Sequence, residues 1–355
     1  MRLYIAGGCG EHGRNCFYMQ GETICFLVDC GVMAGESGGG YPRLSQEQIH
    51  SLDCVFLTHS HADHTGALPW LLQNGFCGPV IATQDTMIQL SPILPEAVPL
   101  ESICPGGSGC FRNLKVEWGR SGHCAGSVWY RFTENEKTIL FSGDYTEDTL
   151  VYPCDALRGK TADLAVLDCA YGKDETPFAI SCDALVSQVA VLLKKYKLLL
   201  FPVPKYGRGL ELRKLFADAD LKTEFYGDAL FLKNLNRVSE DPFWYTAQGA
   251  KWCTAAPYSG QKAGIVFISD PQLRTPEAKG LADAALALGG HGVMTGTVEN
   301  GTLSERLIQQ GQMTIARYPV HLNWAQYSAL AARNQFKQII PYHTGVFSAP
   351  STIAF

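Results

Sequence analysis

Residues 58–64 have the sequence Thr-His-Ser-His-Ala-Asp-His, which places three imidazoles and a carboxylate within six residues. The run follows the apolar residues 55–57, where a buried strand is predicted to end. Because side chains alternate along a strand, His59 and His61 are expected to leave its end on the same side. A hydrogen-bonded or pH-sensitive histidine cluster in a surface loop is the alternative. Imidazole and carboxylate groups suit zinc, so the run predicts metal ligands.

The second half of the run precedes a predicted helix. Residues 65–73 have apolar side chains at helical spacing. Asp63 and His64 are therefore expected in the turn before that helix. The pairs His59 with His61 and Asp63 with His64 suit two adjacent cations, each with a position left open for water.

A centre with two metals needs more ligands than one loop supplies. His123 lies in a glycine-containing turn before a predicted strand, and Asp144 follows another. A carboxylate can bridge two cations and an imidazole cannot, so we expect Asp144 to be the bridging ligand and His123 the third ligand of the first metal. Asp29, at the end of a further strand, suits a hydrogen bond that orients the ligand loop. Alone, each of these residues would be an ordinary turn or cap residue.

The order of the predicted elements indicates an α/β protein. Short strands and glycine turns fill the N-terminal half, whereas strands alternate with helices between about 175 and 300. Such alternation predicts a parallel sheet, and we interpret this stretch as a module inserted into the first domain. A chain of 355 residues with 46% hydrophobic and 18% charged residues is compatible with two globular domains.

Cysteine usage and hydropathy bear on the cellular compartment. The thirteen cysteines are an odd number without a Cys-x-x-Cys pair. This pattern favours buried free thiols in a reducing compartment over a disulfide framework, so we expect a cytoplasmic location. No apolar stretch is long enough to cross a membrane, and no membrane partner is expected.

The overall charge gives no general attraction for polyanions. A net charge of −5 and a pI near 6 weigh against a nucleic-acid partner, although a local basic surface can coexist with them. Residues 194–213 collect several lysines and arginines. Most such clusters are solvated surface, but this one includes a candidate phosphate contact.

The ordered ligands resemble those of the metallo-β-lactamase superfamily. The His-x-His-x-Asp-His run is followed by His123 and Asp144 in the order that this superfamily uses. The rest of the chain is similar to its β-CASP nuclease branch, which includes ribonuclease J and the endonuclease of the cleavage and polyadenylation factor. Residues 7–15 resemble the first strand-turn of that branch, and residues 202–212 and 294–307 resemble the two edges of its inserted module.

Three more residues match motifs of the branch. Asp168 falls at the motif A acid, His321 at the motif B histidine and His343 at the motif C histidine. The resemblance implies that Asp168 and His321 form a hydrogen-bonded pair beside the leaving group. By its apolar neighbours alone, His321 would be a packed core histidine. Residues 319–323, Pro-Val-His-Leu-Asn, also lack the small or hydroxyl residue and the acid that usually flank the motif B histidine. The second metal site would comprise Asp63, His64, Asp144 and His343.

The resemblance implies a fold and a reaction. The fold is an αββα metallo-β-lactamase sandwich of residues 1–175 and 300–355, with an inserted α/β β-CASP domain of residues 176–299. The reaction is hydrolysis of nucleic-acid phosphodiester bonds by hydroxide formed at two divalent cations, with Zn²⁺ favoured and Mn²⁺ as the alternative. The residues expected in catalysis are Asp63, Asp168 and His321, and those expected to contact the substrate phosphate are Arg208, Ser127 and Thr302.

The substrate follows from the same comparison. A histidine at motif C resembles the RNA-processing members, so single-stranded RNA is favoured over DNA, with an endonuclease and a 5′ exonuclease equally open and a homo-oligomer possible. A hydrolase of a small ester, thioester or phosphodiester is the alternative enzyme, favoured by the acidic charge and by the altered residues around His321. A non-catalytic scaffold is a third hypothesis, but it would not need a complete set of ligands.

Overall fold

A computed structural model describes residues 1–36, 38–91, 94, 97–246 and 252–355. In chain order, its strands are β1 (Arg2–Gly7), β2 (Cys16–Gln20), β3 (Cys25–Val28), β4 (Cys54–Phe56), β5 (Val80–Ala82), β6 (Ala97–Pro99), β7 (Ser108–Phe111), β8 (Leu114–Arg120), β9 (Val128–Glu134), β10 (Lys137–Phe141), β11 (Thr161–Asp168), β12 (Leu198–Pro202), β13 (Phe225–Gly227), β14 (Ala256–Pro257), β15 (Gly264–Ile268), β16 (His291–Met294), β17 (Met313–Ile315), β18 (Gln335–Tyr342) and β19 (Thr352–Ala354). Its helices are α1 (Gln46–His50), α2 (Ala62–Thr65), α3 (Leu68–Gln73), α4 (Gln84–Leu90), α5 (Leu100–Ile103), α6 (Phe178–Tyr196), α7 (Arg208–Asp218), α8 (Ala229–Arg237), α9 (Pro276–Ala287), α10 (Leu303–Gln309) and α11 (Trp324–Ala332).

The chain forms two compact units. The first comprises residues 1–147, 154–175 and 321–355, and the second comprises residues 148–153 and 176–320. The sequence-based division instead gave residues 300–320 to the first domain. They lie in the second unit because β17 pairs in parallel with β16. The exact domain boundaries otherwise stay a prediction.

Two sheets face each other in the first unit. Their strand orders are β19-β1-β2-β3-β4-β5-β6 and β18-β11-β10-β9-β8-β7. Aromatic rings fill the space between them: the centroids of Phe26 and Phe132 are 4.8 Å apart, and those of Phe17 and Phe141 are 5.4 Å apart. Because side chains alternate along β3, Leu27 points to the opposite face of its sheet from Phe26.

Helices cover the outer faces of these sheets. Leu71 of α3 packs in a buried cluster with Leu27 of β3. Leu330 of α11 packs in another cluster with Leu167 of β11. The layers therefore run helix, sheet, sheet, helix, and the predicted αββα sandwich is confirmed.

Parallel pairing brings the candidate site residues to the same ends of the sheets. β11 lies between β10 and β18 and pairs with both in parallel. Asp144, Asp168 and His343 lie at or just after the carboxyl ends of these three strands. In the other sheet β3 and β4 also pair in parallel, and Asp29 and His59 follow them. Clefts beyond the carboxyl ends of strands are common binding sites in α/β folds.

The second unit is a parallel α/β layer structure. Its sheet has the order β14-β13-β15-β12-β16-β17, and each of its pairs is parallel. On one face Phe201 of β12 contacts Phe216 of α7, with ring centroids 5.2 Å apart. On the other face Ala282 of α9 packs in a cluster with Leu200. This is the parallel sheet that the alternating pattern predicted.

Two features bear on the environment of the chain. Within the described ranges, no helix combines the length and the apolar character that crossing a membrane requires. All thirteen cysteines are free thiols.

Candidate metal centre

The histidine run leaves β4 and enters a short helix. His59 is completely buried, and His61 is the N-cap of α2, so Asp63 and His64 lie inside this helix. The prediction that they lie in a turn before the helix is wrong, because the carbonyl of His61 already accepts the N–H of His64 at 3.0 Å. The helix predicted for residues 65–73 is divided between α2 and α3.

Four residues form the first candidate ligand set, and their donor atoms all lie within 4.8 Å of one another: His59, His61, His123 and Asp144. The Nε2 atoms of His59 and His123 each lie 3.5 Å from Oδ2 of Asp144. Nε2 of His59 is buried and has no hydrogen-bond partner among the described residues. Since buried polar atoms nearly always have a partner, this nitrogen is suited to bind a cation.

Asp63, His64 and His343 form the second candidate set. Nε2 of His64 lies 3.1 Å and Nδ1 of His343 lies 3.3 Å from Oδ1 of Asp144. Nε2 of His343 lies 3.0 Å from Oδ2 of Asp63. Nδ1 of His343 is also buried without a hydrogen-bond partner in the described chain. Asp144 thus turns one oxygen to each set, as a bridging carboxylate would, and the residues fit two divalent cations.

The charges of the cluster depend on one another. Burial would raise the pKa of Asp144, but His64 and His343 hold that pKa well below its ordinary value. Burial and the neighbouring His64 lower the pKa of His59 well below its ordinary value. Burial lowers the pKa of His343 too, but Asp144 and Asp63 together raise it to about 10. The centre therefore holds its carboxylate charge among imidazoles, where cations could replace protons.

Asp29 orients one of these imidazoles. Its Oδ2 lies 2.8 Å from Nδ1 of His64, and its carboxylate accepts hydrogen bonds from the N–H and the hydroxyl of Thr58 at 2.7 and 2.8 Å. With Nδ1 donating to Asp29, Nε2 is the nitrogen of His64 that can bind a cation. Asp29 has a φ of +60°, which is uncommon for a residue other than glycine and occurs often at functional sites.

Buried Asp168 and partly buried His321 form a pair beside the ligands. Nδ1 of His321 lies 2.7 Å from Oδ2 of Asp168. Asp168 is completely buried and also accepts a hydrogen bond from the N–H of Tyr145 at 3.0 Å. The ring centroid of His321 lies 4.9 Å from that of His123 and 5.2 Å from that of His343. Asp168 thus fixes the ring of His321 between residues of both sets.

Two polar neighbours of the ligands were missed by the sequence analysis. Nδ2 of Asn15 lies 2.8 Å from Nε2 of His64, and the hydroxyl of Tyr342 donates to Oδ1 of Asp144 at 3.1 Å. Adjacency to His343 was the one sequence signal for Tyr342, and Asn15 had none beyond its place in the first strand-turn. Both residues are brought to the centre by strand pairing.

The three residues predicted to contact a substrate phosphate lie in different parts of the chain. The hydroxyl of Ser127 accepts a hydrogen bond from the N–H of Cys124 at 3.0 Å and donates to the carbonyl of that residue at 2.7 Å. Its O–H is used within its own turn, and its contact with a substrate phosphate stays a prediction. Thr302 is the N-cap of α10 and accepts a hydrogen bond from the N–H of Glu305. Thr302 and Arg208 belong to the second unit, and their phosphate contacts stay predictions.

Sequence comparisons agree with this geometry. Residues 9–165 match the family model described as the metallo-beta-lactamase superfamily. Relatives include the transcription termination factor FttA of Methanothermobacter thermautotrophicus, 28% identical over 59% of this chain and 38% of the relative. They also include the "Probable RNase MJ4" of Methanocaldococcus jannaschii, 25% identical over 65% of this chain and 60% of the relative. The endoribonuclease ysh1 of Emericella nidulans is 24% identical over 60% of this chain and 28% of the relative. The chain thus covers less than two thirds of each relative.

A solved structure shares the fold. The crystal structure of a protein of unknown function from Enterococcus faecalis V583 matches with a TM-score of 0.63, over 97% of this chain and 94% of that one. The two sequences are 11% identical, so the match concerns the fold alone.

Proposed function

We propose that this chain belongs to the metallo-β-lactamase superfamily, in its β-CASP branch, and that it is a metal-dependent hydrolase that cleaves phosphodiester bonds of single-stranded RNA. One observation carries the proposal: the two oxygens of Asp144 face two separate sets of imidazole and carboxylate ligands. The relatives named as an RNase and an endoribonuclease support RNA as the substrate class.

Each cation would be held by four residues that share Asp144. The first set is His59, His61, His123 and Asp144. The second is Asp63, His64 and His343, joined by Asp144, whose Oδ1 lies 3.1 Å from Nε2 of His64 and 3.3 Å from Nδ1 of His343. Nitrogen and carboxylate donors in this number suit Zn²⁺, with Mn²⁺ as the alternative. Such cations, when bound, supply a nucleophile from water near neutral pH and neutralise charge on a phosphate.

The chain's own residues would supply the proton that the leaving group needs. A departing ribose oxygen needs a proton, and His321 can donate one from Nε2 while its Nδ1–H is held by Asp168. The buried carboxylate of Asp168 fixes the orientation of the His321 ring. We therefore assign His321 as the general acid and Asp168 as its positioning residue.

End-labelled substrates test this function. The chain, an Asp144→Ala variant and a His50→Ala variant would be incubated with 5′- and 3′-labelled single-stranded RNA and DNA. His50 is exposed on α1 and serves as the control. We expect cleavage of RNA that depends on the cation and is lost only in Asp144→Ala, and the products of the two labels separate an endonuclease from a 5′ exonuclease.

Absence of cleavage would contradict the proposal. If the metal-loaded chain cleaves neither polymer, the nuclease proposal fails. Hydrolysis of a small ester, thioester or phosphodiester would then be the function to test.

The compartment and the oligomeric state are also proposals. Free thiols throughout the chain support a reducing compartment such as the cytoplasm. A homo-oligomer is compatible with the sequence and is tested by light scattering of the purified protein.

A further inference from the structure

An exposed histidine outside the ligand sets contacts the second set. His12 lies in the turn between β1 and β2, and its ring stacks on the ring of His343 with centroids 4.3 Å apart and planes inclined by 12°. Its Nδ1 lies 2.8 Å from the backbone oxygen of His343, so this nitrogen is the donor of the hydrogen bond. His12 therefore touches both the ring and the backbone of one candidate ligand.

His343 needs such support because its backbone is unusual. Its φ is +64°, in the left-handed region that residues other than glycine rarely adopt. Its N–H donates to the carbonyl of Gly8 at 2.6 Å, and its own carbonyl is the group that faces His12. Next to these bonds, Cys9 and Thr344 form an isolated parallel bridge. The turn after β1 thus holds both backbone groups of His343.

The conformation of His343 determines where its ring nitrogens point. Nδ1 lies 3.3 Å from Oδ1 of Asp144, and Nε2 lies 3.0 Å from Oδ2 of Asp63. A rotation of the backbone or the ring would move both nitrogens away from these carboxylates. Groups that orient a ligand imidazole through a backbone contact or its other face change metal affinity although they do not bind the metal.

We propose that His12 is a positioning residue that holds His343 for the second cation and thereby sets the affinity of that site. This inference rests on the proposed metal centre. It assigns His12 no bond to a cation, since the described ligand groups do not contain it. It also predicts a selective effect, because the ring stacking and the hydrogen bond of His12 are both made with His343 of the second set.

Two substitutions separate the contacts that His12 makes. His12→Ala removes the stacked ring and the hydrogen bond, whereas His12→Phe keeps a ring and removes only the donor. Because His12 is exposed, neither change leaves a cavity in a core. His50→Ala again serves as a matched control, since it removes an exposed histidine from α1.

The test is a titration of each metal-free protein with Zn²⁺ in competition with a coloured chelator. We expect two tight sites in the unaltered chain and in His50→Ala. In His12→Ala the first site should keep its affinity, and the second should weaken by about 10- to 100-fold. In His12→Phe the affinity of the second site should lie between that of the unaltered chain and that of His12→Ala. Circular dichroism of each protein checks the fold, and if His12→Ala does not fold, His12→Phe alone decides.

The possible failures can be told apart. If the second site keeps its affinity in the folded variants, or if both sites weaken equally, the inference about His12 is overturned while the metal centre stands. If the unaltered chain binds neither Zn²⁺ nor Mn²⁺, the proposed function fails and the inference fails with it.

Discussion

Nδ1 of His321 lies 2.7 Å from Oδ2 of Asp168, although the two residues are 153 positions apart in the sequence. The carboxylate of Asp168 is completely buried and fixed by a backbone N–H. Asp168 therefore orients the imidazole of His321, and neither residue belongs to the ligand set that contains His59 and His123. Donor atoms of Asp168 and His321 also lie within 4.8 Å of those of Asp144 and His343, so proton delivery and metal binding are two roles for His321 that variants can separate.

His321→Ala should lower the turnover number and leave the metal content unchanged. The loss expected for a general acid is about 10²- to 10⁴-fold. Single-turnover cleavage of labelled RNA measures the rate, and elemental analysis counts the bound metal. A variant that loses one ion per chain would instead identify His321 as a ligand.

A modified substrate sharpens this test. If the leaving oxygen is replaced by sulfur, the leaving group is a thiolate, whose conjugate acid has a pKa near 8.5 and needs no proton from the enzyme. The defect of His321→Ala should then nearly disappear. An equal defect with both substrates would contradict the role of general acid.

Ligand substitutions should remove the cations selectively. His123→Ala should lose the first ion, His343→Ala the second, and Asp144→Ala both, because only Asp144 faces both sets. Each loss should exceed the roughly 10- to 100-fold change that removal of an orienting partner causes. Elemental analysis after dialysis measures the effect. Retention of two ions by Asp144→Ala would contradict a bridging role.

Local sequence signals were enough to find most of the candidate ligands. His59, His61, Asp63 and His64 lie within one short segment, and Asp144 directly follows a strand that its own apolar alternation predicts. The position of Asp63 and His64 was missed by one turn, because α2 has only four residues and shows no helical period of its own. The spacing of residues along one strand or turn is therefore enough to predict this part of the site.

Contacts between distant segments could not be predicted in this way. The hydroxyl of Tyr342 reaches Asp144 across 198 residues, and a buried tyrosine in a strand has the pattern of an ordinary core residue. Residues 300–320 were expected in the first domain but lie in the second unit, and the pairing of β17 with β16 that draws them there has no local sequence signal. His321 and His343 were found only through their resemblance to a family, since their neighbours favour a core.

Asp29→Asn should weaken the second cation without unfolding the chain. Asparagine tolerates the left-handed backbone at this position, but it offers only one acceptor oxygen where His64 and Thr58 now donate three hydrogen bonds. We expect the affinity of the second site to fall by about 10- to 100-fold. A Zn²⁺ competition titration measures it, and unchanged affinity would show that His64 needs no orienting carboxylate.

A buried carboxylate in the second unit also escaped the sequence analysis. Glu211 of α7 accepts hydrogen bonds from the hydroxyl of Thr149 at 2.6 Å and from that of Tyr318 at 2.7 Å. It also accepts the N–H groups of Leu150 and Val151 at 2.8 and 2.9 Å. Glu211 therefore helps to hold residues 148–153 within the second unit.

Glu211→Gln should destabilise the second unit by about 3 kcal/mol, because the amide NH₂ would face buried donors that the carboxylate now satisfies. Urea denaturation followed by circular dichroism measures the free energy of unfolding, and hydrogen exchange should show lost protection at the amides of Leu150 and Val151. Glu240→Gln, which alters an exposed carboxylate, should change stability by less than about 0.5 kcal/mol. If the two variants are equally stable, the hydrogen bonds to Glu211 contribute nothing to holding this segment.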